Sequence, residues 1–197
     1  MTRRRTAWLA LVALAAAAVA IGAWVVRSGP AGGGTGRPAV RAVAAPVFFV
    51  RYDAPTFTLS SVERVAPAGP DPTAGDGGPA DATPYARALV AALARGPRAA
   101  EAARGLASAV PSATEVRSAE REGDRLAVDL SGAVVGGGGT SSMRARLEQL
   151  RWTLTAAPDV RRVALSVEGE PLEVLGGEGL WVEPEWTRPR DGVPPTW

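Results

Sequence analysis

The chain has 197 residues, 46% of them apolar, and a formal net charge of +2. It contains no cysteine and no histidine, and all 22 basic residues are arginine. That composition excludes disulfides, thiolate or imidazole metal sites, and the Ser-His-Asp and Ser-Lys nucleophile designs.

The charge is unevenly placed. Residues 1–52 carry seven arginines and no acid, which leaves 22 − 7 = 15 arginines against 20 acids in the remainder, a net of −5. A domain without excess positive charge has little with which to neutralise phosphates, so nucleic acid is not an expected partner.

Residues 7–26 form a run of 20 without charge or proline. As a helix it spans about 30 Å, the thickness of a bilayer's hydrocarbon layer. Trp8 and Trp24 sit near its two ends, where indoles favour the interface. Arg3, Arg4 and Arg5 precede the run and Arg27 comes after it, which predicts the N-terminus inside and the rest outside. A cleaved signal peptide is the competing reading, because Ala18-Val19-Ala20 fits a small-residue cleavage site. Either way the C-terminal part of the chain is exported. Residues 1–26 are therefore read as the anchor or signal peptide, and 27–45, rich in Gly, Ala, Pro and Arg, as a flexible linker.

A domain is expected over 46–182. Val47-Phe48-Phe49-Val50-Arg51-Tyr52 reads as a strand, and 58–65 as a second with Leu59 interior. Prolines, glycines and aspartates make 67–82 a long loop. Thr83-Pro84 opens a helix, with Thr83 as cap and Ala86, Leu89, Val90 and Leu93 as its apolar stripe. After Gly96-Pro97 a short helix is expected, with Ala99, Ala102, Ala103 and Leu106 as its small-residue face. Residues 114–122 and 125–130 predict a hairpin around Gly123-Asp124, with Leu126, Val128 and Leu130 on one side.

Thr140 or Ser141 is expected to cap the longest soluble helix, whose stripe is Met143, Leu147, Leu150 and Leu154. Val163, Leu165 and Val167 then alternate in a strand, with Leu172 and Val174 in the return strand. Residues 183–197 hold several prolines and read as an extended tail. These elements predict an α+β fold: a small mixed sheet with helices on one face, preceded by a single transmembrane helix.

The order of the pieces resembles the GerMN domain, the sporulation and spore germination domain, from about Val47 to Val182. The resemblance rests on the opening strand, on Leu93-Ala94-Arg95-Gly96-Pro97 and on Gly105-Leu106-Ala107-Ser108-Ala109-Val110-Pro111. It continues through Val128-Asp129-Leu130-Ser131, the helix from Ser142-Met143 to Thr153-Leu154-Thr155, Val167-Glu168-Gly169-Glu170-Pro171-Leu172, and Gly176-Gly177-Glu178-Gly179. It implies a non-enzymatic envelope protein with a fold similar to the ring-building modules of secretion and sporulation channels; members are usually lipoproteins or membrane-anchored, and the lack of cysteine excludes lipidation here. It brings no catalytic residues.

Four features invite a chemical reading. Gly136 to Gly139 with Thr140, Ser141 and Ser142 precede a helix, where amides can cradle an anion; a P-loop also needs a lysine, so a flexible loop with a capping hydroxyl is the expectation. Asp129, among core strand residues, is a candidate acid or the cap of a turn, and the turn is preferred. Glu168, Glu170, Glu173 and Glu178 surround a hairpin; paired carboxylates support glycoside hydrolysis, but an acidic edge is the preferred reading. Trp152 and Trp181 are expected in the core, with Trp186 and Trp197 harder to bury.

The sequence therefore predicts no catalytic, cofactor-binding or metal-binding residues. It points to a non-catalytic interaction or scaffold module of the bacterial envelope, outside the cytoplasmic membrane and held by its N-terminal helix. Envelope proteins or cell wall are the expected partners, with weak self-association. The alternative is a protein that binds or cleaves cell-wall glycan through the acidic hairpin.

Overall fold

The computed structural model describes residues 41–53, 56–69, 79–176 and 179–197. The apolar run 7–26 and most of the linker lie outside the described residues. Among those described, no helix is long and apolar enough to cross a membrane.

The described chain opens on β1 (Ala42–Asp53), which pairs antiparallel with β2 (Thr56–Pro67) over its whole length, from Ala42↔Pro67 to Asp53↔Thr56. The linker thus ends before Ala42 rather than at 45. Pro46 is tolerated inside β1 because its nitrogen has the parity of Phe48, whose main-chain groups face away from β2. At its far end β1 also pairs with the two-residue β4 (Leu106–Ala107), so the small sheet runs β2-β1-β4.

The second sheet is mixed. Its order is β11 (Trp186–Thr187), β7 (Arg162–Val167), β6 (Arg125–Leu130), β5 (Val116–Glu122), β3 (Ala80–Asp81), with β8 (Glu170–Pro171) also on β7. β5 and β6 form the predicted hairpin, and β6 and β7 run parallel. β9 (Val174–Leu175) and β10 (Leu180–Trp181) form a separate two-stranded ribbon. The predicted return strand is therefore split. Leu172 and Leu175 are buried, three apart rather than two, and Val174 is exposed.

Two helices pack on these sheets, α1 (Thr83–Arg95) and α3 (Thr140–Leu154). The main core joins Leu89, Val90 and Leu93 of α1 and Met143, Leu147, Leu150 and Leu154 of α3 to both sheets. β1 contributes Val47 and Phe49, β6 contributes Leu126, Val128 and Leu130, and β7 contributes Val163 and Leu165. Each fully buried side chain of this kind stabilises the fold by about 1.5–3 kcal/mol relative to leaving it in water. A smaller cluster holds Phe48, Val50 and Leu59 against Ala145 and Trp152 of α3. β1 is thus buried on both faces along Val47–Val50, which explains why that stretch is apolar without alternation.

Local details depart from expectation at both helix starts. Thr83 is the first helical residue, not the cap; its amide donates to the Asp81 carboxylate at 2.8 Å. Gly139 occupies the cap position of α3, extended in backbone, and its carbonyl accepts from Met143 N. The short helix α2 (Ala99–Ala102) buries Glu101, while its alanines are exposed. Glu101 is drawn inward by Arg64 of β2, whose Nη1 donates to Oε1 at 2.9 Å.

Candidate functional site

The glycine loop encloses a buried arginine instead of an open anion cradle. Arg146, 3% exposed on α3, donates from Nε to Ala109 O at 2.9 Å, from Nη1 to Val134 O and Gly136 O, and from Nη2 to Gly137 O at 2.9 Å. The loop's carbonyls therefore face a cation. Gly137 and Gly138 take positive φ, which lets the chain wrap so tightly; a Cβ on Gly138 would meet Ser142 Oγ at 2.8 Å. Burial pulls the Arg146 pKa below its ordinary value, while four carbonyl dipoles compensate the charge.

Asp129 is a structural brace. Its Oδ1 accepts from Ser166 Oγ at 3.1 Å and from Gly169 N at 2.9 Å, and Oδ2 pairs with Arg117 at 3.3 Å. The turn it caps is Glu168–Gly169 rather than the one at Ser131. Glu168, Glu170 and Glu173 are exposed around that turn. Glu178 lies outside the described residues. No group of three or more acids able to hold a metal ion occurs among the described residues.

The tryptophans reverse one expectation. Trp152 is fully buried, but Trp181 is 62% exposed. Trp186 and Trp197 pack against the second cluster instead. The segment read as a tail is a strap. Trp186 pairs with Val163 at the sheet edge and meets Trp152 edge-on, ring centroids 5.8 Å apart. Arg188 stacks over Trp152 at 4.5 Å and donates to Thr155 O at 2.6 Å, so a cation seats on the C-terminal carbonyls of α3. Trp197 exchanges both main-chain hydrogen bonds with Phe57, at 2.7 and 3.2 Å, and its ring lies nearly parallel to that of Phe57 at 6.3 Å.

Beside the strap the same face stays open. A groove of about 610 Å³ is lined by Val50, Tyr52, Phe57, Ala107, Ala145 and the first turn of α3. Tyr52 is 59% exposed and stands 4.9 Å from Phe57 between ring centroids. Among the described residues, no acid and no arginine lines the groove. Such a surface suits an apolar or aromatic side chain, with hydroxyls of Ser108, Ser141 and Ser142 at its margin.

The sequence reading missed this groove along with Arg146, Gln149 and Arg188. A signal for two of them existed: Arg146, Gln149 and Thr153 recur at spacings of three and four on one flank of the apolar stripe of α3.

The sequence profile described as sporulation and spore germination matches residues 46–173. Among solved structures, the tandem GerMN domains of the sporulation protein GerM from Bacillus subtilis align with a TM-score of 0.55. The identity is 18%, over 83% of this chain and 49% of that one, so the chain spans about half the length of the tandem protein. The first GerMN domain of the same protein aligns with a TM-score of 0.50 and 14% identity, over 74% of this chain and 98% of that one. At these identities the likeness is one of fold. No curated protein matches the chain. With the profile covering the folded part from β1 to the residues before β9, the chain belongs to the sporulation and spore germination family, and its domain is of the GerMN type.

Proposed function

We propose that the chain is a non-catalytic interaction module of the bacterial cell envelope, held outside the cytoplasmic membrane by residues 7–26. The observation that carries this reading is the open groove beside Tyr52 and Phe57: aromatic, apolar, and without acids or arginines among the described residues that line it. Apolar grooves rimmed by aromatic side chains suit partner anchors better than they suit bond cleavage. Two of the features that invited a chemical reading, the glycine loop and Asp129, serve the fold. Arg146 holds the glycine loop and Asp129 holds the β7–β8 turn.

The test places a photoreactive residue at Tyr52 of the full chain in its membrane. Capture of an envelope protein, absent when the probe sits at exposed Val65 instead, is the expected result. Equal capture from both positions would remove the groove from the proposal. Hydrolysis of peptidoglycan by the purified chain, lost in Glu168→Gln, would overturn its non-catalytic part.

A further inference from the structure

We propose that the strap, residues 184–197, exchanges between copies of this chain, each strap lying over the Phe48–Trp152 face of a second copy. The receiving face is defined by what already occupies it. Trp186 takes the edge of β7 and the flank of Trp152. Arg188 takes the end of α3 and the face of Trp152, and Trp197 takes the outer edge of β2 at Phe57. Every one of these footholds is present identically in each copy. The face therefore has one occupant of known sequence, and that occupant can come from its own chain or from a neighbour.

The connection permits it. Val182 is the last residue tied firmly to the domain before the strap, 2% exposed with its amide on Glu173 O at 2.8 Å. Glu183 and Pro184 are exposed. The chain bends at Pro184 and Glu185 before Trp186 joins β7, and a change of backbone angle at that exposed bend redirects the strap. Exchange of an identical element between protomers needs no new contact, because the bonds lost in one copy are remade in the other.

The strap's hold on β2 is short. The pairing of the strap with β2 stops after a single rung. In the antiparallel register set by Phe57 and Trp197, the next outward rung of β2, Leu59, would face Pro195, which has no N–H to give. The strap is thus zipped to β7 only over Trp186 to Arg188, and is held at separate points beyond it. Confinement to a membrane plane raises the concentration of neighbouring straps and shifts the balance toward exchange. That last step rests on the anchored reading.

The chain has no cysteine, so introduced thiols have only each other as partners. The bridge between Phe57 and Trp197 sets Thr58 opposite Thr196. Full-length Thr58→Cys and full-length Thr196→Cys are mixed in phosphatidylethanolamine–phosphatidylglycerol vesicles and oxidised. A heterodisulfide dimer, several-fold above that from Val65→Cys with Thr196→Cys and falling as plain lipid dilutes the chains, is the expected result. A yield no higher than the Val65 control overturns exchange. A chain carrying both thiols must also close on itself when dilute; if it forms no disulfide within or between chains, the strap is not seated at Phe57 and the proposal fails. Vesicle flotation reads the anchor separately. A chain that does not float sinks the anchored reading, and the mixture is then oxidised in concentrated solution, where the same comparison with Val65→Cys decides exchange.

Discussion

The side-chain amide of Gln149 donates to the main-chain carbonyl of Phe48 at 3.0 Å, where a rung of the small sheet is missing. The register of β1 with β4, Val50↔Ala107 and Arg51↔Leu106, would place Phe48 opposite Ala109. The strands part there and α3 fills the gap. Gln149 Oε1 accepts from Ala109 N at 2.7 Å, and Thr153 Oγ1 accepts from Phe48 N at 3.0 Å. One helix face thus completes a strand edge, and the fully buried Gln149 is satisfied on both sides. Gln149→Leu keeps the volume but leaves Phe48 O and Ala109 N without partners, at about 2–4 kcal/mol for two buried groups. Urea denaturation should show the midpoint falling with an unchanged slope. A loss near the few tenths of an exposed site would mean that the strands close up without the amide.

The main core makes a plainer prediction. Leu147 is 3% exposed on the stripe of α3, among side chains from both sheets. Leu147→Ala should cost about 2–5 kcal/mol, the range for a buried leucine that leaves a cavity. Val65, 79% exposed on β2, serves as the comparison. Val65→Ala should stay within about 0.5 kcal/mol, as surface changes do.

The elements legible in the sequence were those set by periodicity. The stripes Leu89-Val90-Leu93 and Met143-Leu147-Leu150-Leu154 and the alternation Leu126-Val128-Leu130 all point into the core. What escaped the reading depends on contacts distant in sequence. Trp186 and Trp197 sit among prolines, which suggested a free tail, because nothing nearby reveals that Val163 and Phe57 receive them across 23 and 140 residues. Trp181 looked like core because large aromatics usually are, but the narrow β9–β10 ribbon leaves it on the outside. The glycine run suggested a flexible loop with a capping hydroxyl, and its carbonyls turned inward because Arg146, about two helical turns into α3, supplies the donors. The Tyr52–Phe57 groove needed β1, β2, β4 and α3 together and has no local signature.

Acid should loosen one specific joint. Hydrogen bonds from the Arg64 guanidinium, then from the Arg98 amide, hold the Glu101 carboxyl down to about 2, against its ordinary 4.5. A carboxyl lowered by folding adds stability that is present above its ordinary pKa. That stability is lost as the pH falls from about 4.5 toward 2. Glu101→Gln should therefore be less stable than the parent at pH 6, with the difference shrinking as the pH falls through that window. Denaturation midpoints at pH 6 and pH 2.5 check it. A difference that stays constant would show that Glu101 acts through packing and not through its charge.

Arg188 joins two favourable environments, and its replacements separate them. The guanidinium lies 4.5 Å over Trp152 and 5.5 Å over Phe48, and donates to Thr155 O at 2.6 Å. Burial, then the charge of Arg161, pulls its pKa below the ordinary value, but an arginine retains its proton at any pH of interest. A cation over an aromatic face contributes about 0.5–2 kcal/mol, and one at a partly buried helix C-terminus contributes up to about 2 kcal/mol. Arg188→Ala loses both and should cost about 2 kcal/mol or more, with a change in the near-ultraviolet signal of Trp152. Arg188→Lys keeps the charge, so it retains the helix-end attraction. A point ammonium cannot lie flat on the indole while reaching Thr155 O, so only part of the loss should return. These contacts are the same whether the strap comes from its own chain or a neighbour, so the expectation holds in either arrangement. If lysine restores full stability, the stacking over Trp152 contributes nothing, and Arg188 serves only as a charge at the end of α3.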